Sequence, residues 1–366
     1  MKGKVLSMTG IKKVEVKEFE LPEVEKGQVL MRVIKSNICG SDVHMWEGKH
    51  IFKNHVLGHE MVGRVVKLGE GVVTDYAGRE VKPGDRICPV YYLTCQKCKA
   101  CLDGNFNVCT HGSDYQGQHA DIYPHFTGAF ATHYMIQANQ YFYKVPDNIP
   151  DDVVAGANCG ISQMYYAIDQ IKMSANDIVV VQGAGGLGLF SSAISHSKGA
   201  RVIVIDSVAS RLEQAKKFGA WETINMKDFT TREARLEEIL RLTGGKEPDV
   251  VIDVTGFPPA FDEATRMIKI GGTILEIGCV SLDEDQCCTI VPGLLVRKCI
   301  TVRGILRYQP WYLDRTLQWL SEYHDKYDFA HLTDKMYSLE EGQEALLKAA
   351  NKEVARAIIE PRMDEE

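Results

Sequence analysis

The most constraining feature of this chain is an apolar run that ends in a glycine-rich turn. Residues 178–181 read IVVV, and after Gln182 comes Gly183-Ala184-Gly185-Gly186-Leu187-Gly188. A β-branched run of this kind predicts a buried strand. The turn fits G-x-G-x-x-G, and Leu187 opens a stretch of small and apolar residues that predicts a helix over 187–198. In that context Gly183 permits the tight turn, Gly185 lets the backbone approach a pyrophosphate, and Gly188 lets the helix pack close to the sheet. The free N–H groups at the helix start favour an anion. Asp206 closes the next apolar run, VIVI at 202–205, in the position where a carboxylate binds ribose hydroxyls and repels a 2′-phosphate. Ser207 follows it, and the cation Arg211 lies a turn further on. This pattern predicts a dinucleotide site with Gly183, Gly185, Gly186, Leu187, Gly188, Asp206 and Arg211 around it, and NAD rather than NADP.

Strands and helices continue to alternate from here. Residues 250–254 (VVIDV) and 273–277 (TILEI) read as strands, with helices over 210–218 and 260–268. Such alternation implies a doubly wound parallel sheet. Residues 1–150 have another texture, with short β-branched runs at 14–16, 29–34 and 61–68 punctuated by Gly and Pro. They predict a compact β-rich unit. Amphipathic stretches near 313–323 and 339–350 return the chain to mixed character. The 366 residues suffice for about two domains. We expect boundaries at 1–158, 159–302 and 303–366, the middle domain being inserted in the other.

Charge and cysteine usage exclude several classes. Forty-two Lys and Arg against 49 Asp and Glu leave a net charge of −7, so nucleic acid is an unexpected partner. The N-terminal stretch has no apolar core typical of a secretory signal, and no run of 18 apolar residues predicts a membrane span. A cytoplasmic chain keeps its thiols reduced, and the 11 cysteines are an odd number, so no complete disulfide framework is expected. Four of them, Cys95, Cys98, Cys101 and Cys109, form C-x2-C-x2-C-x7-C. This spacing predicts a closed structural zinc site in the loop 95–109. An iron–sulfur cluster competes, but the fourth spacing is wrong for it and no Pro follows. Cys39, His59 and Cys159 are far apart in sequence, and each alone reads as an ordinary packing residue.

Taken together, these blocks carry a resemblance. Cys39-Gly40-Ser41-Asp42-x-His44, then Gly58-His59-Glu60-x2-Gly63-x5-Gly69, the four-cysteine loop and GAGGLG occur in the order found in zinc-dependent medium-chain alcohol dehydrogenases. The chain resembles that family over nearly its whole length. The resemblance implies a GroES-like β-rich catalytic domain around a Rossmann domain, with two zinc ions per subunit. It implies that Cys39, His59 and Cys159 hold a catalytic zinc, that Glu60 can exchange onto it, and that Asp42 orients His59. Zinc with three protein ligands keeps an open position and acidifies a bound hydroxyl. Ser41 would take the released proton and pass it through the nicotinamide ribose to His44 and solvent, while hydride leaves the carbinol carbon for NAD. The family forms homodimers or homotetramers.

The substrate implied is a small alcohol or its carbonyl product: primary, secondary or polyol. Trp46 and Tyr91 fall at family substrate-pocket positions, with core packing as the competing reading. Arg307 falls near the nicotinamide edge, where a cation would bind an anionic substrate group or a cofactor phosphate, with a solvated Arg as the favoured competing reading; the same chemistry on an anionic or CoA-linked hydroxy substrate is the alternative within the family. The extra segments at 76–80 and 117–127, the latter with His119, Tyr123 and His125, read as ordered surface loops. Cys279, Cys287 and Cys288 read as thiols without a metal. A non-catalytic, zinc-stabilised nucleotide-binding protein is the alternative from another class; an open zinc site and a proton relay would be superfluous in it.

Overall fold

The computed structural model describes residues 1–49, 55–115, 117–280, 286–333, 335–354 and 356–361. The chain divides into two compact units. The first comprises Met1–Ser162, Gln309–His324 and Phe329–Glu366, and the second Gln163–Tyr308 and Asp325–Asp328.

In the first unit the described strands are β1 (Lys2–Gly10), β2 (Lys13–Glu20), β3 (Val29–Asn37), β4 (Glu60–Leu68), β5 (Arg86–Pro89), β6 (His133–Ile136) and β7 (Phe142–Lys144). Strands β1 and β2 form an antiparallel hairpin. The main sheet runs Lys335–Tyr337, Ala357–Ile359, β3, β4, β5, β7, with β6 paired to β3. Two apolar clusters hold it. One gathers Val29, Met31, Val33, Met61, Ile87 and Tyr134, and the other gathers Leu6, Met8, Trp46, Leu57, Phe130 and Tyr337. Removing these side chains from water supplies most of the driving force, at about 25 cal/mol per Å² of apolar surface.

The second unit contains β8 (Ile178–Gln182), β9 (Arg201–Asp206), β10 (Ala220–Asn225), β11 (Val250–Asp253), β12 (Thr273–Glu276) and β13 (Thr301–Gly304). They form a parallel sheet in the order β10-β9-β8-β11-β12-β13. The order reverses at β8, so the Gly-rich turn leaves the sheet at its switch point. Val179, Val180 and Val181 are wholly buried, as a central strand covered on both faces requires. The helix after the turn spans Gly186–Ser197. The patterning did not reveal β10, the helix Arg232–Thr243 or β13, because polar residues interrupt all three.

The unit boundaries differ from those read in the sequence. Cys159 and Ser162 stay with the β-rich unit: Ser162 Oγ donates to Ala157 O at 2.6 Å and is hydrogen-bonded with the Thr316 hydroxyl at 3.0 Å, anchoring the turn to the helix Tyr312–Tyr323. At the other end, Arg303 and Gly304 complete β13 beside β12, so residue 303 belongs to the parallel sheet. Asp325–Asp328 also joins the second unit. There Tyr327 stacks on Phe218 and its hydroxyl meets His196 Nδ1 at 3.0 Å.

Candidate active site

Cys39, His59, Glu60 and Cys159 come together in the first unit. Each offers one ligand atom, and the four atoms lie within 4.8 Å of one another. The Cys159 sulfur is 3.3 Å from His59 Nε2. Cys39 caps the short helix Gly40–Trp46, and His59 and Glu60 stand where β4 begins. Asp42 joins these segments. This wholly buried carboxylate takes the Cys39 N–H at 2.9 Å on Oδ2 and faces His59 Nδ1 at 3.1 Å with Oδ1. His59 therefore turns Nε2 toward the sulfurs, the orientation a ligating imidazole needs.

The charges of this cluster are strongly coupled. The hydrogen bond from Cys159 and the neighbouring His59 hold the Cys39 thiol well below its usual range, against burial. The same sulfur–sulfur contact pushes Cys159 up. Burial works to lower the His59 pKa, but the Asp42 carboxylate prevails and raises it. Burial pushes Glu60 up to about 7, opposed by the Arg356 guanidinium, which donates to Glu60 Oε2. Three soft or borderline donors with one carboxylate in reserve suit a zinc ion that keeps an open position.

Ser41 and His44 share one face of the helix, one turn apart. The Ser41 hydroxyl bonds the Cys39 sulfur, while His44 is exposed. Tyr91 lies beside the cluster, its ring centroid 5.1 Å from that of His59. Trp46 does not: it is 1% exposed, packed among Leu6, Met8, Leu57 and Phe130. Its position on the buried helix face makes it a core residue rather than part of a substrate pocket.

The four-cysteine loop forms the second cluster. All four sulfurs lie within 4.8 Å of one another, with Cys95–Cys101 at 4.0 Å and Cys98–Cys109 at 3.9 Å. A tetrahedron with metal–sulfur bonds of about 2.3 Å has edges of about 3.8 Å, so the spacing fits a zinc ion. Backbone N–H groups of Cys101 and Thr110 bring the Cys98 thiol down to about 5, which favours the ligating thiolate. Burial pushes Cys101 up to about 12. Gln309 pins the loop by accepting from Phe106 N and donating to Asn107 Oδ1, both at 3.1 Å.

In the second unit the glycine turn has the geometry of an anion cradle. Gly183 has φ +99°, and a Cβ on Gly188 would meet Gly183 O at 1.9 Å. A Cβ on Gly185 would meet nothing within 4 Å, so the backbone there is open to a ligand. Asp206 accepts from Ala184 N and Val208 N, each at 2.8 Å, which holds the carboxylate beside the turn. Leu187 follows in the first turn of the helix Gly186–Ser197, and Arg211 lies early in Ala209–Lys217, part-exposed. Arg307 comes three residues after β13, in a left-handed conformation with φ 54°.

Other sequence candidates resolve simply. Segment 117–127 docks on the hairpin: His125 stacks on Phe19 at 4.1 Å, and Tyr123 donates to Glu23 O at 3.3 Å. Cys279 and Cys287 are exposed, Cys288 is partly so, and none belongs to either metal-type cluster among the described residues. Three features escaped the sequence reading: Arg356 beside Glu60, Asn158 beneath the metal-type cluster, and a carboxyl pair, Asp253 and Glu276. That pair sits at matched positions ending β11 and β12. Asp253 Oδ2 and Glu276 Oε2 are buried without a donor, and the two carboxyls lie within hydrogen-bond reach of one another. Glu276 left a signal, being the one charge in the apolar run TILEI.

A β-rich unit with two thiol-rich clusters of metal-ligand type, and a parallel-sheet unit bearing a glycine turn of dinucleotide-binding type, are the features of a zinc-binding dehydrogenase. Comparison with known proteins agrees: residues 25–147 match the alcohol dehydrogenase GroES-like domain and residues 186–322 the zinc-binding dehydrogenase domain, and the chain belongs to this family of medium-chain dehydrogenases. It is 30% identical to 5-exo-hydroxycamphor dehydrogenase of Pseudomonas putida over 356 residues, 96% of each chain. It is 29% identical to sorbitol dehydrogenase of Bacillus subtilis, over 95% of this chain and 93% of that one. The structure of an alcohol dehydrogenase from Thermotoga maritima superposes with a TM-score of 0.92 at 30% identity, covering 99% of this chain and all of that one. The protein is thus an enzyme of the family that acts on hydroxyl groups.

Proposed function

We propose that this enzyme transfers a hydride between a small alcohol, secondary or polyol by likeness to the hydroxycamphor and sorbitol dehydrogenases, and NAD, giving the carbonyl product. The observation that carries the reading is the convergence of Cys39, His59, Glu60 and Cys159 within 4.8 Å, with Ser41 alongside. Cys39, His59 and Cys159 would hold a catalytic zinc, and Cys95, Cys98, Cys101 and Cys109 a structural one. The catalytic ion, when bound, supplies Lewis acidity to the substrate hydroxyl, and NAD supplies the hydride acceptor. Asp42 keeps His59 in its ligating orientation, and Arg356 holds Glu60 in reserve beside the ligands. Ser41 Oγ takes the hydroxyl proton as it releases its own toward His44, which is exposed and delivers a proton to solvent.

The choice of NAD rests on Asp206. A buried carboxylate held by two backbone N–H groups accepts ribose hydroxyls and repels an added phosphate. Association of the chain with itself, as a homodimer or homotetramer, is supported by β13, which ends the parallel sheet among the described residues, with Val302 exposed on it and Val296 exposed on the preceding helix Pro292–Arg297. A cytoplasmic setting fits reduced thiols, and no described helix is long and apolar enough to cross a membrane.

The test is a screen of primary, secondary, polyol and acidic hydroxy substrates with NAD and with NADP, following the absorbance of the reduced cofactor, together with metal analysis. Two zinc ions per chain and NAD-linked turnover are expected. One zinc per chain without turnover would overturn the catalytic reading in favour of a nucleotide-binding scaffold.

A further inference from the structure

Strands β4 and β5 are paired only at Gly63–Ile87 and Arg64–Arg86. Beyond Gly63 the ladder opens, leaving His59 O and Met61 N on one side of the fork and Pro89 O on the other. The side chain of Asn158 fills this fork. Its Nδ2 donates to His59 O and to Pro89 O, both at 2.9 Å, and its Oδ1 accepts from Met61 N at 3.3 Å. Asn158 is wholly buried, and Cys159 is the next residue.

The donor inventory explains why an amide stands here. Two carbonyls and one N–H need two donors and one acceptor on a short planar group, which Asn provides. An aspartate would set a carboxylate against two carbonyl oxygens, and an aliphatic residue would leave three backbone groups unpaired. A second tie comes from Cys88, buried on β5, whose thiol donates to Met61 O at 3.2 Å. Burial pushes this thiol up, so it stays a donor. The opened ladder therefore admits the turn that carries Cys159, and Asn158 rejoins the fork through its side chain.

We propose that Asn158 is the positioning residue of the metal centre, fixing the separation between His59 on β4 and Cys159 on the turn Ala157–Ile161. The proposal rests on Cys39, His59 and Cys159 holding a metal. His59 and Cys159 are 100 residues apart in the chain, and their ligand atoms stand 3.3 Å apart. The Asn158 amide is a direct link between the backbone of one and the immediate neighbour of the other.

The experiment uses the full chain, as wild type, Asn158→Ala and Asn158→Ser, with cobalt(II) exchanged into the catalytic position and zinc left in the four-cysteine loop. The readouts are the thiolate-to-cobalt charge-transfer and d–d bands and the chelator concentration that strips each metal. Asn158→Ala is expected to lower metal affinity at the Cys39–His59–Cys159 site by about 10- to 100-fold and to shift the cobalt bands, with the loop zinc retained. Asn158→Ser keeps one hydroxyl for the fork and should fall between; it is read in the same way if the Ala chain does not fold. Two metals in wild type with unchanged bands and chelator sensitivity in the variants would overturn this proposal alone. Loss of both metals in parallel would also overturn it, since Asn158 would then serve only folding. A single metal in wild type would overturn the two-metal reading and this proposal with it.

Discussion

Replacing Glu276 by Gln should remove a pH dependence of stability from the nucleotide-binding unit. Glu276 and Asp253 end neighbouring parallel strands, and each keeps one buried carboxyl oxygen without a donor. Thr255 N and Oγ1 serve the other oxygen of Asp253, and Cys279 N serves that of Glu276. Burial, then the Asp253 charge, lifts Glu276 from 4.5 to about 7. Asp253 is raised as well, again chiefly by burial, so the two share a proton. An acid with a raised folded pKa binds its proton in the folded chain while the unfolded chain has lost it. Its contribution is fully present below about pH 4.5 and declines as pH rises toward 7. The shift corresponds to a ceiling of about 3 kcal/mol at 1.36 per unit, and roughly half of that survives for a side chain partly open to water. Glu276→Gln keeps the shape and has no proton to lose. Thermal unfolding of both proteins at pH 5 and pH 8 measures the effect. Between those pH values the variant should gain about 1–2 kcal/mol on the wild type, or about 2–8 °C in Tm. A difference independent of pH, or a wild type that gains on the variant as pH rises, would refute the shared proton.

The remaining predictions concern the metal centres and the core. Cys39→Ser should abolish turnover and lose one metal while Tm changes little; Cys98→Ser should lose the other metal and lower stability. Identical losses in metal analysis and calorimetry would refute the division between catalytic and structural sites. Asp42→Asn leaves Cys39 N with an acceptor but removes the charge facing His59, so kcat/KM should fall by about 10- to 100-fold and metal affinity with it; unchanged chelator sensitivity would contradict the orienting role. Trp46→Ala should destabilise the β-rich unit by about 3–5 kcal/mol in denaturant titrations while KM for alcohols in the folded fraction stays the same, since Trp46 fills core rather than contacting substrate.

Much of the site was legible because its chemistry is local in sequence. The glycine turn, Asp206 and the four-cysteine loop are each confined to a short stretch, where spacing alone restricts what the residues can bind. Asp42 was implied by the family resemblance, and the structure supplies the physical reason: one carboxylate serves the Cys39 N–H and the His59 ring. The sequence alone determined the apolar runs of the parallel sheet and the four-cysteine donor set, whereas Cys39, His59 and Cys159 were united only by the family resemblance. Tertiary structure decided what depends on neighbours distant in the chain. It placed Trp46 in the core, brought Arg356 to Glu60, joined the Asp253 and Glu276 carboxyls, and set Asn158 in the fork between β4 and β5. A side chain's hydrogen-bond partners and dielectric surroundings are fixed only when strands far apart in sequence pair, and spacing along the chain carries no record of that pairing.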